Sequence, residues 1–316
     1  MNKLWSAVAA GLILLGTFAV GGPVQSPLKG TISVSGAWAL YPMVLKWAEE
    51  FKRIHPRIRI DVQAGGAGKG MADVLSGMAD LGMVSREINQ EELKRGAFPV
   101  AVTKDGVVAT VSDRNPRLKD ILKRGMTRAQ FIDIWITGKI VSWGQTLGTG
   151  EKAAVHVFTR SDACGAADTW AAYLGKRQED LAGIGVYGDP GIADAVRRDL
   201  LGIGYNNVNF AYDAKTLRPV SGLAVVPIDL DGSGRIEDSE QCYATRDDLT
   251  RAIAKNLYPS PPARELYLVA KGKPASPGAT VEFLRWILTD GQEFVSETGY
   301  IPLAPEKLRE NLDRLK

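Results

Sequence analysis

Residues 159–170, TRSDACGAADTW, bring a guanidinium, a thiol and a run of small residues into one short segment. The segment follows the apolar residues Val155, Val157 and Phe158, so it leaves the end of a strand. Ala167, Trp170, Ala171 and Leu174 then fall on one helical face. A strand that feeds a Gly- and Ala-rich turn and a helix start offers free backbone N–H groups and the positive end of the helix dipole. That is an anion site, and Arg160 could add a bidentate fork to it. The same pattern also describes an ordinary strand–helix connection with Asp162 as a cap. Cys164 at such a helix start, near Arg160, favours the thiolate. It could contact a ligand, bind a soft metal, pack as a small buried residue or pair with Cys242, the second of two cysteines. Cysteine catalysis needs a base. The two histidines are His55, beside Pro56, and His156, on a strand, so a Cys–His enzyme is not expected.

A second constellation lies at 229–240, DLDGSGRIEDSE. It fits the EF-hand calcium loop position by position. Asp229, Asp231 and Ser233 take the first, third and fifth places, and Gly234 permits the sharp turn. Arg235 offers its carbonyl, Ile236 is the apolar residue, and Glu240 closes the loop as a bidentate carboxylate. Oxygen ligands at this spacing suit a hard cation, hence a structural Ca²⁺ rather than Zn²⁺. Leu223 to Ile228, before the loop, reads as a strand, and there is no second copy. A paired helix–loop–helix sensor is therefore not expected.

Both constellations need a scaffold. Leu40, Met43, Val44, Trp47, Ala48 and Phe51 make one amphipathic helical face, with Pro42 in its first turn. Ile58, Ile60 and Val62 alternate as a strand. Met71, Val74, Leu75 and Met78 make a second helical face, and 81–84 a further strand. Strands at 31–34, 107–111 and 155–158 alternate with helices, one of them capped at Thr127. This alternation implies an α/β protein with a mostly parallel sheet. At 316 residues the chain can form two domains, and its net charge of +3, from 39 basic and 36 acidic residues, argues against a nucleic-acid partner. Lys3 precedes an uncharged apolar run, followed by small residues near Ala19 to Gly22. Residues 1–22 therefore read as a cleaved export signal rather than a retained anchor.

Five stretches, in order, are similar to those of periplasmic phosphate-binding proteins, the solute receptors of ABC importers. They are 36–51 (GAWALYPMVLKWAEEF), 65–88 (GGAGKGMADVLSGMADLGMVSREI), 131–143 (FIDIWITGKIVSW), 159–170, and 288–303 (LTDGQEFVSETGYIPL). The resemblance implies a two-lobed type II periplasmic-binding-protein fold with two hinge-crossing strands. On that pattern 29–103 plus 221–316 form lobe 1, holding the acidic loop, and 104–220 form lobe 2. The hinges are expected near 100–111 and 218–225.

The resemblance also implies a monomeric, non-enzymatic periplasmic receptor that takes a small oxyanion and meets a membrane permease. Its ligand turns map onto Ala37 and Trp38, Ala67 and Gly68, Ser85 and Arg86, and Cys164, Gly165 and Ala166, with Arg160 beside them. Here the chain departs from the family. The hydroxyls usual at three of these turns are replaced by Ala37, Trp38, Ala67, Cys164 and Ala166. Each hydrogen bond to a charged group contributes about 1.5–3 kcal/mol, so their loss weakens phosphate binding unless backbone N–H groups or Trp38 compensate. Phosphate, another oxyanion, or a cleft occluded by Trp38 and used for protein contact all remain open at this stage.

Overall fold

The computed structural model describes residues 28–316. The expected export signal, 1–22, lies outside them. The strands are β1 (Gly30–Gly36), β2 (Ile58–Ala64), β3 (Leu81–Val84), β4 (Ala97–Ser112), β5 (His156–Arg160), β6 (Ile184–Val186), β7 (Gly202–Asn207), β8 (Leu223–Val225) and β9 (Ala263–Lys271). They run in the order β2-β1-β3-β9-β4-β7-β5-β6, with β8 on β4. The outer pairs, β1 with β2 and β3 and β5 with β6 and β7, are parallel. The pairs involving β4 or β9 are antiparallel.

Helix faces pack on this sheet as the periodicity requires. Met43, Val44, Trp47 and Phe51 of the Tyr41–Ile54 helix are buried, and Pro42 sits where its missing N–H is harmless. Thr127 caps the Arg128–Trp135 helix in a reciprocal box with Gln130. Met78 departs from the pattern. The Ala67–Ser76 helix ends at left-handed Gly77, which leaves Met78 outside the helix and 71% exposed.

Strand β4 is long because it belongs to two lobes. Its first part pairs with β9 over Ala97 to Gly106, and its last part pairs with β7 over Val107 to Val111. One apolar core gathers residues from Ile32 to Val102 and from Leu266 to Leu315. The other is built mainly from residues Val107 to Ala263, with Ile301 joining it. The first crossing thus falls within the expected 100–111.

The second crossing does not fall at 218–225. β8 pairs with Thr110 to Ser112 inside lobe 2, and Leu249, Ala252, Ile253 and Tyr258 join the lobe 2 core. The chain returns at the start of β9, where Gly106 pairs with Ala263. The 221–262 segment, acidic loop included, therefore sits in lobe 2 and not in lobe 1. Leu223 to Ile228 is apolar because it is buried in that lobe, and a continuous apolar run does not distinguish a buried strand from a crossing one.

Candidate functional site

The two lobes touch along the expected ligand turns. Gly65 and Gly66 both donate their N–H to the Gly36 carbonyl, which turns the chain into the Ala67–Ser76 helix. Gly66 has φ +90, and a Cβ there would stand 2.7 Å from the Ala163 carbonyl oxygen of lobe 2. Gly68 N–H donates to that same carbonyl at 3.1 Å. Gly165 opens the Gly165–Tyr173 helix, and a Cβ there would lie 2.2 Å from the Ser85 carbonyl oxygen and from its Oγ. The N-termini of the two helices thus meet across a closed cleft. Their first-turn N–H groups have no intrahelical acceptor.

Arg160 lies at the base of this cleft with its side chain fully buried. It forms a fork with Asp162, through Nε at 2.8 Å and Nη2 at 2.6 Å, and Nη1 meets Asp189 at 2.6 Å. Burial works against the guanidinium charge, and the Asp189 and Asp162 carboxylates overcome it and hold the pKa above its ordinary value. One cation is matched by two carboxylates. An incoming oxyanion must share Arg160 with both.

The other predicted residues divide. Ala37, Ala67 and Ala166 are buried in the walls, and Ser85 is buried against Gly165. Arg86 is committed elsewhere: it pairs with Glu92 at 2.6 Å, and its Nε reaches across the lobes to Asp168 at 3.1 Å. Trp38 carries lobe 1 against lobe 2. Its ring centroid is 6.4 Å from Tyr187 and 6.2 Å from Phe210, and its Nε1 is buried with no hydrogen-bond partner among the described residues.

Cys164 is a helix cap. Its Sγ accepts the Ala167 N–H at 3.4 Å. Burial pushes the thiol pKa up to about 12, outweighing the nearby Arg160, so the group is a thiol and the thiolate expectation does not hold. Cys164 and Cys242 are both free, without a disulfide between them.

Sequence reading missed a buried polar group behind Arg160. Asp189, Asn207, Asp105 and Arg264 are all at most 9% exposed. Arg264 was hidden because a lone arginine in an apolar strand reads as an edge position. Asp162 follows a strand and one turn residue, and Asp189 lies in the first turn of the Gly188–Arg198 helix, both places where surface aspartates are common. On one flank of the cleft, an open cavity of about 1130 Å³ is lined by Arg86, Lys104, Asp168, Tyr258, Arg264 and Tyr267. Arg160 is not in its lining.

The acidic loop closes on itself. Carboxylate oxygens of Asp229, Asp231 and Glu240 lie within 4.8 Å of one another, with Asp229 and Glu240 buried. Asp229 accepts the N–H of Gly232, Ser233 and Gly234, and Glu240 accepts those of Leu230 and Glu237. Ser233 Oγ donates to the Arg235 carbonyl at 2.9 Å, so the atoms expected at the fifth and seventh ligand places stand together. The loop is anchored to lobe 2 by Asp229 N–H to the Met126 carbonyl and Ile236 N–H to the Lys123 carbonyl. The last residues of the loop, Asp238–Glu240, form a short 3-10 turn, and the next helix starts only at Arg246.

Residues 22–291 match a family described as the PBP superfamily domain. The chain belongs to the PBP superfamily. The similarity to periplasmic phosphate-binding proteins seen in the five stretches stands with it. The phosphate-binding protein PstS of Pseudomonas aeruginosa is 27% identical over 314 residues, covering 90% of this chain and 86% of that protein. The PstS of Bacillus subtilis is 26% identical over 290 residues, covering 90% and 84%. Among solved structures, a putative phosphate ABC transporter substrate-binding protein with bound phosphate from Clostridium perfringens superposes with a TM-score of 0.70 at 24% identity, over 87% of this chain and 100% of that one. An ABC-type phosphate transport receptor from Vibrio cholerae gives 0.62 at 21% identity, over 86% and 100%. These superpositions carry the two-lobed fold.

Proposed function

We propose that the protein is an exported receptor that captures phosphate, or an oxyanion like it, between its lobes and delivers it to the permease of an ABC importer. The observation that carries this is the facing pair of helix N-termini, at Ala67 and Gly165, brought together by lobe contacts near buried Arg160. Backbone N–H groups there, other than those of Gly68 and Ala167, replace the hydroxyls absent from the turns, because they point at an anion without needing a particular side chain. The similar proteins are phosphate-binding proteins, in keeping with capture rather than catalysis. Export through residues 1–22, a periplasmic location and a monomeric state belong to the same reading. Small-angle scattering tests it: phosphate should shrink the radius of gyration of the mature protein.

Trp38 favours a second reading. Its packing on Tyr187 and Phe210 closes the lobes through aromatic contact. If the scattering curve is already compact and phosphate leaves it unchanged, the cleft is occluded and the fold serves protein contact instead.

We also propose that the acidic loop holds a structural Ca²⁺. Asp229, Asp231 and Glu240 would supply carboxylate oxygens, Ser233 its hydroxyl and Arg235 its carbonyl. The donor set fits a hard cation: it is all oxygen, with two of the carboxylates buried. The ion would stiffen lobe 2 beside Met126, where the loop joins the lobe.

A further inference from the structure

Behind Arg160 a continuous line of buried side chains leads to the two crossing strands. Asp189 Oδ2 accepts from Arg160 Nη1 at 2.6 Å and from Asn207 Nδ2 at 2.8 Å, while its Oδ1 accepts the Asn207 N–H at 2.9 Å. Asn207 ends β7, where it pairs with Val107, the first lobe 2 residue of β4. Asn207 Oδ1 in turn accepts from Arg264 Nη2. Arg264 lies on β9 opposite Asp105 of β4, with Nη2 at 3.7 Å from its carboxylate. Arg264 Nη1 also donates to the carbonyl of Gly165, the residue that presses on Ser85.

We propose that Asp189 is the positioning residue of the anion site and that, through Asn207 and Arg264, it ties the Arg160 guanidinium to both crossing strands, so that occupancy of the site and the hinge angle are coupled. This rests on the receptor reading above. The chemistry is local. Asp189 has two oxygens and three donors on them, so any shift of Arg160 toward a bound anion changes the acceptor to which Asn207 donates. Asn207 is held at its other end by Arg264. Arg264 and Asp105 sit in register on the strands that must bend when the lobes part. Bonds among buried charged groups have no water to replace a lost partner, so the line moves as a unit or is broken at a cost.

Asp105 supplies an independent handle. Burial pushes its carboxyl up to about 7, with Arg264 opposing and Asp189 adding to the rise. Besides these two charged groups, the Gly106 N–H faces it on its own strand, at 2.5 Å from Oδ1. The N–H of Val208 also favours the carboxylate, and Asp105 in turn helps to raise the Tyr300 phenol.

The test is a double-mutant cycle on phosphate affinity with Asp189→Asn, Arg264→Gln and both together. Each single variant should weaken binding roughly tenfold, the effect of about one charge-assisted bond. The double should bind no worse than the weaker single. In parallel, the ratio of wild-type to Asp105→Asn affinity is followed across neutral pH, where phosphate's own titration cancels. The ratio should step near pH 7. Losses that multiply, or a flat ratio, overturn the proposal while leaving the receptor reading intact. If Asp189→Asn fails to fold, Asn207→Ser takes its place in the cycle with Arg264→Gln, with the same expectation that the losses do not multiply. No phosphate binding by the wild-type protein removes the receptor reading and this inference together.

Discussion

The acidic loop and the interlobe cleft are both assemblies of charged oxygen and nitrogen, and they differ in how far the chain must travel to make them. The loop draws its ligand atoms from one turn, 229–240, and its carboxylates are held by N–H groups of the same turn. The cleft draws on Trp38, Gly66 and Ser85 of lobe 1, which meet the lobe 2 residues Tyr187, Ala163 and Gly165 only when the lobes close, and on Arg160, which lobe 2 holds through Asp189 from 29 positions away. A local site keeps its chemistry in its spacing. A site built across lobes keeps its geometry in the fold, and side chains there can change while the helix ends stay in place.

If that contrast is right, breaking the cleft should disturb the whole molecule and breaking the loop should disturb one lobe. The largest effect is expected from Arg160→Met. It leaves the buried carboxylates of Asp162 and Asp189 without their cation, a loss of about 3–5 kcal/mol, read by urea denaturation. Loss of less than about 1 kcal/mol, the range of an exposed pair, would mean the pair is solvated.

Next in size is removal of calcium. An ion present at 100 times its dissociation constant stabilises by about 2.7 kcal/mol. EDTA should therefore lower Tm, and Asp229→Asn with Glu240→Gln should remove that response while phosphate binding persists. An unchanged Tm on both EDTA and added Ca²⁺ would leave the loop as a hydrogen-bonded acidic turn.

Gly165→Ala tests closure itself. Its Cβ would meet Ser85 backbone, so the closed state should lose about 1–3 kcal/mol. Scattering should show a more open molecule with lobes still folded. A closed Gly165→Ala variant would show that the helix end does not seat against Ser85.

Asp105 gives a pH dependence with a definite sign. Its folded pKa is raised from 3.8 to about 7, so the native state holds a proton the unfolded chain has released. Its contribution is full below the ordinary carboxyl value and is lost as pH rises toward 7. Asp105→Asn should flatten that part of the stability curve, and an unaltered slope would place the carboxyl in contact with water. The smallest effect is at the thiols: at pH 8 both should react slowly with Ellman's reagent, Cys242 ahead of the more deeply buried Cys164.

The sequence was informative where the physics is local. The face of the Tyr41–Ile54 helix, the Thr127 cap and the alternation of strands with helices follow from period and capping chemistry. The convergence of Asp229, Asp231 and Glu240 was legible for the same reason. The second crossing was not, because Leu223 to Ile228 and Leu266 to Val269 are both short apolar runs, and only pairing partners tell which one returns to lobe 1. Arg160 was legible as an anion-binding candidate, and its burial was not. Its second carboxylate partner, Asp189, stands 29 positions away and was not. Arg86 shows the converse: the family resemblance implied a ligand contact, and Glu92 and Asp168 take its donors instead.

The most direct test of the central claim, that the cleft still binds an oxyanion through helix ends and Arg160, is isothermal titration of the ligand-stripped, Ca²⁺-loaded mature protein with phosphate, then sulfate, molybdate and tungstate. The account predicts phosphate binding at micromolar concentration or tighter, weakened at least about fivefold in Gly165→Ala. Absence of heat with all four anions, from a protein whose folding is verified, would contradict it and assign the cleft to the occluded state closed by Trp38.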